Sequence, residues 1–308
     1  MARRLPQPVL DEEDQESGDV KEVPSEQEER SQREQRYKVN GKKKAGPDFD
    51  KILTFGYTND KKYQWQKLLV AGMSKCGRTR FALTWPRPLI LNTDKGLEAY
   101  SGQKIPVVTL DRSDKLPISE ILMRFIMMLK YREPPYDKFF PETLIIDQAT
   151  SLCDLLEEEV MNFSPATNKG EERDDQLFMK DYGIIQKRFL RFMDSLRDLP
   201  CHVIMITNTT FEKDPLLEGL YETPAVTGNK MSPQIPTYFG EVYYLKYSEK
   251  LGEYIAMIKP TSRFPYSGTR YDALKAAYPE GYVTDPSYGK FIKYYIPNEE
   301  YNKTRKKK

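Results

Sequence analysis

The feature that most constrains this chain is a pair of glycines, Gly72 and Gly77, set between a short apolar run and a stretch of helical spacing. Lys67-Leu-Leu-Val-Ala71 is apolar and ends on Gly72, which suits a parallel strand buried on both faces. Residues 77–85 carry Phe81, Ala82 and Trp85 on one side of a helix, and Pro86 stops them. Glycines at both ends of the loop let backbone N–H groups converge on phosphate oxygens. A helix start behind the second glycine favours the same anion. Gly72-Met73-Ser74-Lys75-Cys76-Gly77-Arg78-Thr79 therefore reads as a phosphate loop for ATP, with the Thr79 hydroxyl placed to ligate Mg2+. The pattern GxxxxGK[ST] asks for lysine where this chain has Arg78, which keeps the charge but carries it on a larger planar fork. Lys75, inside the loop, is a second cation able to reach back to the phosphates. The competing reading is a glycine turn with no ligand.

Beyond the loop the pattern alternates. Strands are expected at 88–92, 107–110, 143–147 and 201–207, and helices at 118–131, 152–163 and 177–199. Such alternation implies right-handed crossovers and an α/β fold, with a mostly parallel central sheet flanked by helices. Residues 209–240 are rich in Pro, Gly, Thr and Asn, and read as a long, partly ordered loop. Residues 241–247 and 253–258 read as paired strands turning at Lys250-Leu-Gly252, and 272–277 as a short helix. A small β-rich C-terminal region is thus expected after the parallel sheet. The domain reading is an acidic arm over 1–46, a nucleotide-binding domain over 47–247, a tyrosine-rich region over 248–300 and a basic tail over 301–308.

The ends differ in charge from the middle, although the formal net charge is only +2. Eleven acids from Asp11 to Glu34 outnumber the basic residues of the first 36, whereas Lys303 and Arg305 to Lys308 make a cationic end. Residues 1–46 are nearly free of large apolar residues and are expected to be mostly disordered, with ordered structure starting near Phe49 in a short strand or loop through Ile52–Phe55. The tail is either a solvated arm or a contact for nucleic-acid phosphates. No apolar run approaches the ~20 residues that span a bilayer, and no apolar segment follows the N-terminal arginines, so a cytoplasmic protein is expected. Three cysteines fit neither paired disulfides nor a zinc spacing. The single histidine, His202, excludes mechanisms that need two imidazoles and reads as structural. Cys76, beside Lys75 and Arg78 at a helix start, sits where a thiol pKa is lowered.

Three strand tips add chemistry to the loop. Leu144-Ile-Ile-Asp147 is an apolar strand ending in a carboxylate that can hold Mg2+ through water. Leu89-Ile-Leu-Asn-Thr-Asp94 ends in an acid able to orient attacking water, or else in an ordinary turn acid before Gly96. Thr207-Asn208 ends the fifth strand with an amide able to sense a γ-phosphate. In an open α/β sheet such tips gather around one crevice.

The order of Gly72–Thr79, then Pro86-Arg-Pro-Leu-Ile-Leu-Asn-Thr-Asp-Lys-Gly-Leu97, then Thr143-Leu-Ile-Ile-Asp147 resembles the RecA-like P-loop ATPases encoded by bacteriophages, including the Sak-type single-strand annealing and recombination ATPases. Asp181-Tyr-Gly183, Val203-Ile-Met-Ile-Thr-Asn208, Gly228-Asn-Lys230 and Ile235-Pro-x-x-Phe239 fit the same family, so the resemblance covers roughly residues 50–247. It implies a RecA-like domain with Gly72, Lys75, Gly77, Arg78 and Thr79 at the triphosphate and Asp147 with Thr79 at Mg2+. Asp94 falls at the water-activating acid, where RecA has glutamate, and Asn208 at the sensor strand. It implies single-stranded DNA as partner, with Lys169, Arg173, Lys213 and Lys230 on the DNA-facing loops, a homo-oligomer, and contacts with replication or recombination proteins. Arg78 and Asp94 depart from the family pattern in ways that bear on hydrolysis rather than on fold. The chain's 21 tyrosines concentrate in its C-terminal third, interleaved with cations. That pattern suits stacking on single-stranded bases or, alternatively, packed β layers.

Two further function classes are open to the same residues. One is a degenerate P-loop protein that no longer hydrolyses nucleotide and serves as a DNA-binding or assembly scaffold. The other is a P-loop kinase of small molecules, against which stands the lack of an arginine-rich lid.

Overall fold

The computed structural model describes residues 64–94, 96–110, 116–163, 177, 179–213, 219–227 and 231–295. The expected N-terminal arm, the strand near Ile52, the basic tail, and Lys169, Arg173 and Lys230 lie outside these residues.

Strand β1 (Lys67–Ala71) ends at the glycine loop Gly72–Gly77, and helix α1 (Arg78–Leu83) follows it. Then come β2 (Pro88–Asn92), β3 (Val107–Thr109), α2 (Ile118–Tyr131), β4 (Thr143–Asp147) and α3 (Ala149–Phe163). Helix α4 (Met179–Arg197) leads to β5 (His202–Thr207). After it come β6 (Thr209–Lys213), β7 (Leu220–Pro224), β8 (Glu241–Ser248) and β9 (Glu253–Met257). Helix α5 (Asp272–Ala277), β10 (Tyr282–Thr284) and α6 (Tyr288–Tyr295) complete the described chain.

Eight strands form one sheet in the order β10-β9-β8-β1-β5-β4-β2-β3. The pairings from β8 through β3 are parallel, while β9 and β10 add on antiparallel beyond β8. The expected α/β class, the parallel centre and the antiparallel C-terminal strands are thus all present. Every residue of β4 and β5 is buried, because helices cover both faces. Alternate side chains divide cleanly between them. Leu69, Leu91, Leu144, Ile146, Val203 and Met205 pack with α2, α3 and α4. Leu68, Val70, Ile90, Ile145, Ile204 and Ile206 pack with α1, α5 and α6. Helix α4 buries Ile185, Phe189, Phe192, Met193 and Leu196, a stripe at helical spacing that holds it against the sheet.

Two expectations need correction. Residues 209–240 are not one long loop: Thr209 to Lys213 and Leu220 to Pro224 form an antiparallel hairpin, in register from Thr209 opposite Pro224 to Lys213 opposite Leu220. Threonines and aromatics favour that ladder, and Pro224 is tolerated at its very end, where a missing N–H costs little. The region after residue 258 holds more than one short helix, since β10 and α6 follow α5. Several ends also shift. Helix α3 begins at Ala149 rather than residue 152, α4 spans Met179–Arg197 rather than 177–199, and α1 is shorter than 77–85.

Candidate nucleotide-binding site

The carboxyl tips of β1, β2, β4 and β5 lie side by side in the sheet, which brings the loop, Asp94, Asp147 and Asn208 to one crevice. Gly72 is required by close approach. A Cβ there would lie 2.4 Å from the Leu245 carbonyl oxygen of β8 and 2.6 Å from Cys76 Sγ. Gly77 is required by conformation, with φ 86°, and an added Cβ would press on the Tyr254 ring at 3.1 Å. Lys75 is exposed and also left-handed, with φ 62°.

Thr79 Oγ1 donates to Asp147 Oδ2 at 2.9 Å, joining the first turn of α1 to the tip of β4. Asp147 is 5% exposed. Burial pushes its carboxyl up to about 6; the Asp94 charge pushes the same way, while the Thr79 hydroxyl and Arg78 pull back. A hydroxyl and a carboxylate are hard oxygen donors, and adjacent in this way they fit Mg2+. Among the described residues no group of three or more His, Cys, Asp or Glu side chains could hold a metal. Mg2+ suits such a sparse pair, because it keeps water and phosphate oxygens as its other ligands.

Arg78 does not lie along the loop. Its guanidinium donates from Nη1 to the Thr207 carbonyl and from Nη2 to Asn208 Oδ1 at 2.7 Å, so it grips the tip of β5. Burial lowers its pKa, against the raising influence of Cys76, Asp147 and Asp94. Asp94 is exposed and accepts the Gly96 N–H on Oδ1 at 3.0 Å, which is the turn geometry; its charge nonetheless reaches both Asp147 and Arg78. Asn208 sits at the foot of the β6–β7 hairpin, where its carbonyl accepts the Ala225 N–H at 2.8 Å. Lys213, the one DNA-loop candidate among the described residues, is exposed at the end of β6.

Four participants escaped the sequence reading. Thr93 clamps β2 to β4: its N–H donates to the Asp147 carbonyl at 2.8 Å, and its hydroxyl oxygen accepts the Gln148 N–H at 2.7 Å. Thr150 Oγ1 accepts the Asn208 N–H at 3.3 Å and donates to the Ala225 carbonyl at 2.7 Å, closing the hairpin foot. Tyr254 walls the loop beside Gly77, with the Arg80 guanidinium 5.8 Å above its ring. Tyr100 feels Asp147, Arg80 and Tyr254, and burial raises its pKa. Threonine after an apolar strand is too common to single out, and Tyr254 announces nothing until the sheet places it beside Gly77.

The lowered Cys76 thiol expected from sequence is also corrected. Cys76 is 6% exposed, and burial pushes its pKa up despite Arg78 nearby. His202 is structural as expected: its Nδ1 accepts the Gln66 N–H at 2.9 Å. In the tyrosine-rich end Tyr243, Tyr244 and Tyr295 are core at 0, 1 and 7% exposure, most of the other described tyrosines are half-buried, and Tyr247 at 52% is open. A cavity of about 590 Å3 lies at the opposite end of β1, around Gln66, Lys67, Glu241 and Tyr271, and no loop residue lines it. No described helix is long and apolar enough to cross a membrane.

Residues 64–271 match the family model described as AAA domain. No curated protein matches the chain. The solved structure of the RadB recombinase is similar at 15% identity over 62% of this chain and 79% of its own, with a TM-score of 0.33.

Proposed function

Since this chain belongs to the AAA domain family, we propose that it binds ATP–Mg2+ in the loop Gly72–Thr79 and acts on single-stranded DNA as a RecA-like protein of phage recombination or replication. The observation that carries the nucleotide half is the Thr79–Asp147 hydrogen bond, which sets a hydroxyl and a carboxylate side by side at the phosphate loop. Mg2+, when bound there with the nucleotide, supplies charge neutralisation at the terminal phosphates. The residues divide the remaining work. Backbone N–H groups between Gly72 and Gly77 hold phosphate oxygens. Lys75, exposed within the loop, supplies a mobile cation to the phosphates, while Arg78 rests on β5 in the free protein. Tyr254, against Gly77, offers a flat apolar face to the base. Asp94 orients water once it leaves the Gly96 turn, and Asn208 faces the third phosphate. Lys169, Arg173, Lys213 and Lys230 with the basic tail would meet DNA phosphates, in a homo-oligomer in the cytoplasm of the host cell, beside replication or recombination proteins.

Arg78 on β5 and Asp94 folded onto its own turn favour a second reading: a P-loop protein that binds nucleotide without turning it over and serves as a DNA-binding scaffold. Titration with a fluorescent ATP analogue, with and without Mg2+, tests the shared part. Mg2+-dependent binding that Thr79→Ala and Asp147→Asn abolish is expected; equal binding by all three proteins would sink both readings. Turnover stimulated by single-stranded DNA selects the first reading, and its absence selects the scaffold. DNA binding itself should weaken steeply with salt and when residues 303–308 are removed.

A further inference from the structure

The residue at the expected lysine position is bonded to a different element altogether. The Arg78 fork takes two acceptors on β5 at once, the Thr207 carbonyl and Asn208 Oδ1, which a single ammonium could not span in the same way. Those acceptors are not at a free strand end. Thr207 Oγ1 donates to the Asn208 carbonyl at 3.0 Å, and that carbonyl also accepts the Ala225 N–H at 2.8 Å. Asn208 N–H and the Ala225 carbonyl both close on Thr150 Oγ1, at 3.3 and 2.7 Å. The next residues on either side, Thr209 and Pro224, are the first pair of the β6–β7 ladder. Arg78 thus holds the foot of a hairpin that presents Phe211 and Leu220, 47 and 64% exposed, away from the core.

We propose that Arg78 is a positioning residue that couples the number of bound phosphates to the β6–β7 hairpin, acting through Asn208. The proposal rests on the loop being a nucleotide site. A diphosphate fills the loop around Gly72 to Gly77 and leaves the fork on β5. A third phosphate lies further out, towards the tips of β4 and β5, and offers the guanidinium a charged bidentate partner in place of a carbonyl and an amide. The fork then leaves Thr207 and Asn208, and the hairpin is held without it, by Thr150 at its foot and by Glu222, which bonds Thr209, Tyr244 and Arg263. Hydrogen exchange over residues 209–224, compared between ADP–Mg2+ and a non-hydrolysable ATP analogue with Mg2+, reads this directly. Severalfold faster exchange with the triphosphate is expected. Asn208→Asp, nearly isosteric, gives the fork a charged acceptor on β5; it should erase the difference and weaken the triphosphate relative to the diphosphate. In Arg78→Lys the hairpin should exchange fast with either nucleotide. If wild type binds both nucleotides with the same hairpin exchange, the coupling is wrong and the nucleotide site stands. If neither nucleotide binds, the site and the coupling fall together.

Discussion

The Thr79 hydroxyl donates a hydrogen bond to Asp147 Oδ2 across 2.9 Å, so the head of α1 and the tip of β4 hold together the two oxygens that would ligate a Mg2+. Asp147 must be ionised to ligate the metal, and its carboxyl is pushed up to about 6. Mg2+-dependent nucleotide affinity should therefore fall as pH is lowered through about 6. Asp94→Asn removes a charge that raises this value and should move the midpoint down. Stability of the free protein runs the other way. A carboxyl whose folded pKa lies above its unfolded 3.8 contributes stability below that value and loses it as pH rises through about 6. Affinity titrations between about pH 5 and 8 that show no Asp147-dependent midpoint would remove the metal role.

Gly72→Ala should destabilise the protein by about 1–3 kcal/mol, the usual cost of forcing a methyl into filled space. The obstacle at 2.4 Å is a backbone carbonyl of β8, which cannot rotate aside as a side chain can. A lower Tm with the same cooperativity is the expected observation; an unchanged Tm would mean that β8 does not press on the loop.

Tyr254→Ala should weaken ATP by about 1–3 kcal/mol, the range of a base–aromatic stack, and leave inorganic triphosphate binding as it was. The ring stands beside Gly77 and under Arg80, and not among the groups that would meet phosphate oxygens. Equal losses for both ligands would show that the ring shapes the loop instead of facing the base.

His202 makes acid a specific stress. Its buried ring, edge-on to Trp65 and Trp85, has a pKa lowered to about 3, by burial first and then by the Lys67 charge. A group whose folded pKa lies below its unfolded 6.5 contributes stability above that value and loses it as pH falls towards about 3. Urea midpoints should drop between about pH 7 and 5. His202→Asn, which keeps an acceptor for the Gln66 N–H, should flatten that slope; an unaltered slope would place the sensitivity elsewhere.

What the sequence made legible is what lies within one turn or one strand. Residues 67–71, 88–92, 143–147 and 272–277 carry their whole signal in their own spacing, and their bounds agree with β1, β2, β4 and α5. The loop was legible for the same reason, since its glycines, Lys75 and Thr79 are contiguous. The β6–β7 hairpin was hidden because the prolines and glycines around it outweigh its threonines and aromatics in any local reading. Arg78 could be seen to depart from lysine, but not to turn towards β5, because Thr207 and Asn208 become its neighbours only when β1 and β5 pair. Tyr254 and Thr150 share that handicap.

Strand β1 is synthesised among the first elements of the described chain yet sits between two that come much later. Leu68 to Ala71 pair with Ile204 to Thr207 of β5 on one edge and with Glu241 to Tyr244 of β8 on the other. On the ribosome, then, Leu-Leu-Val-Ala emerges as an apolar strand with both edges open, the kind of segment prone to wrong pairing. The loop it carries gains its β8 backstop only when residue 245 is made, and its tyrosine wall only at residue 254. Chains that stop before residue 254 should accordingly bind nucleotide poorly, if the loop is a nucleotide site, because both the backstop and the wall are missing.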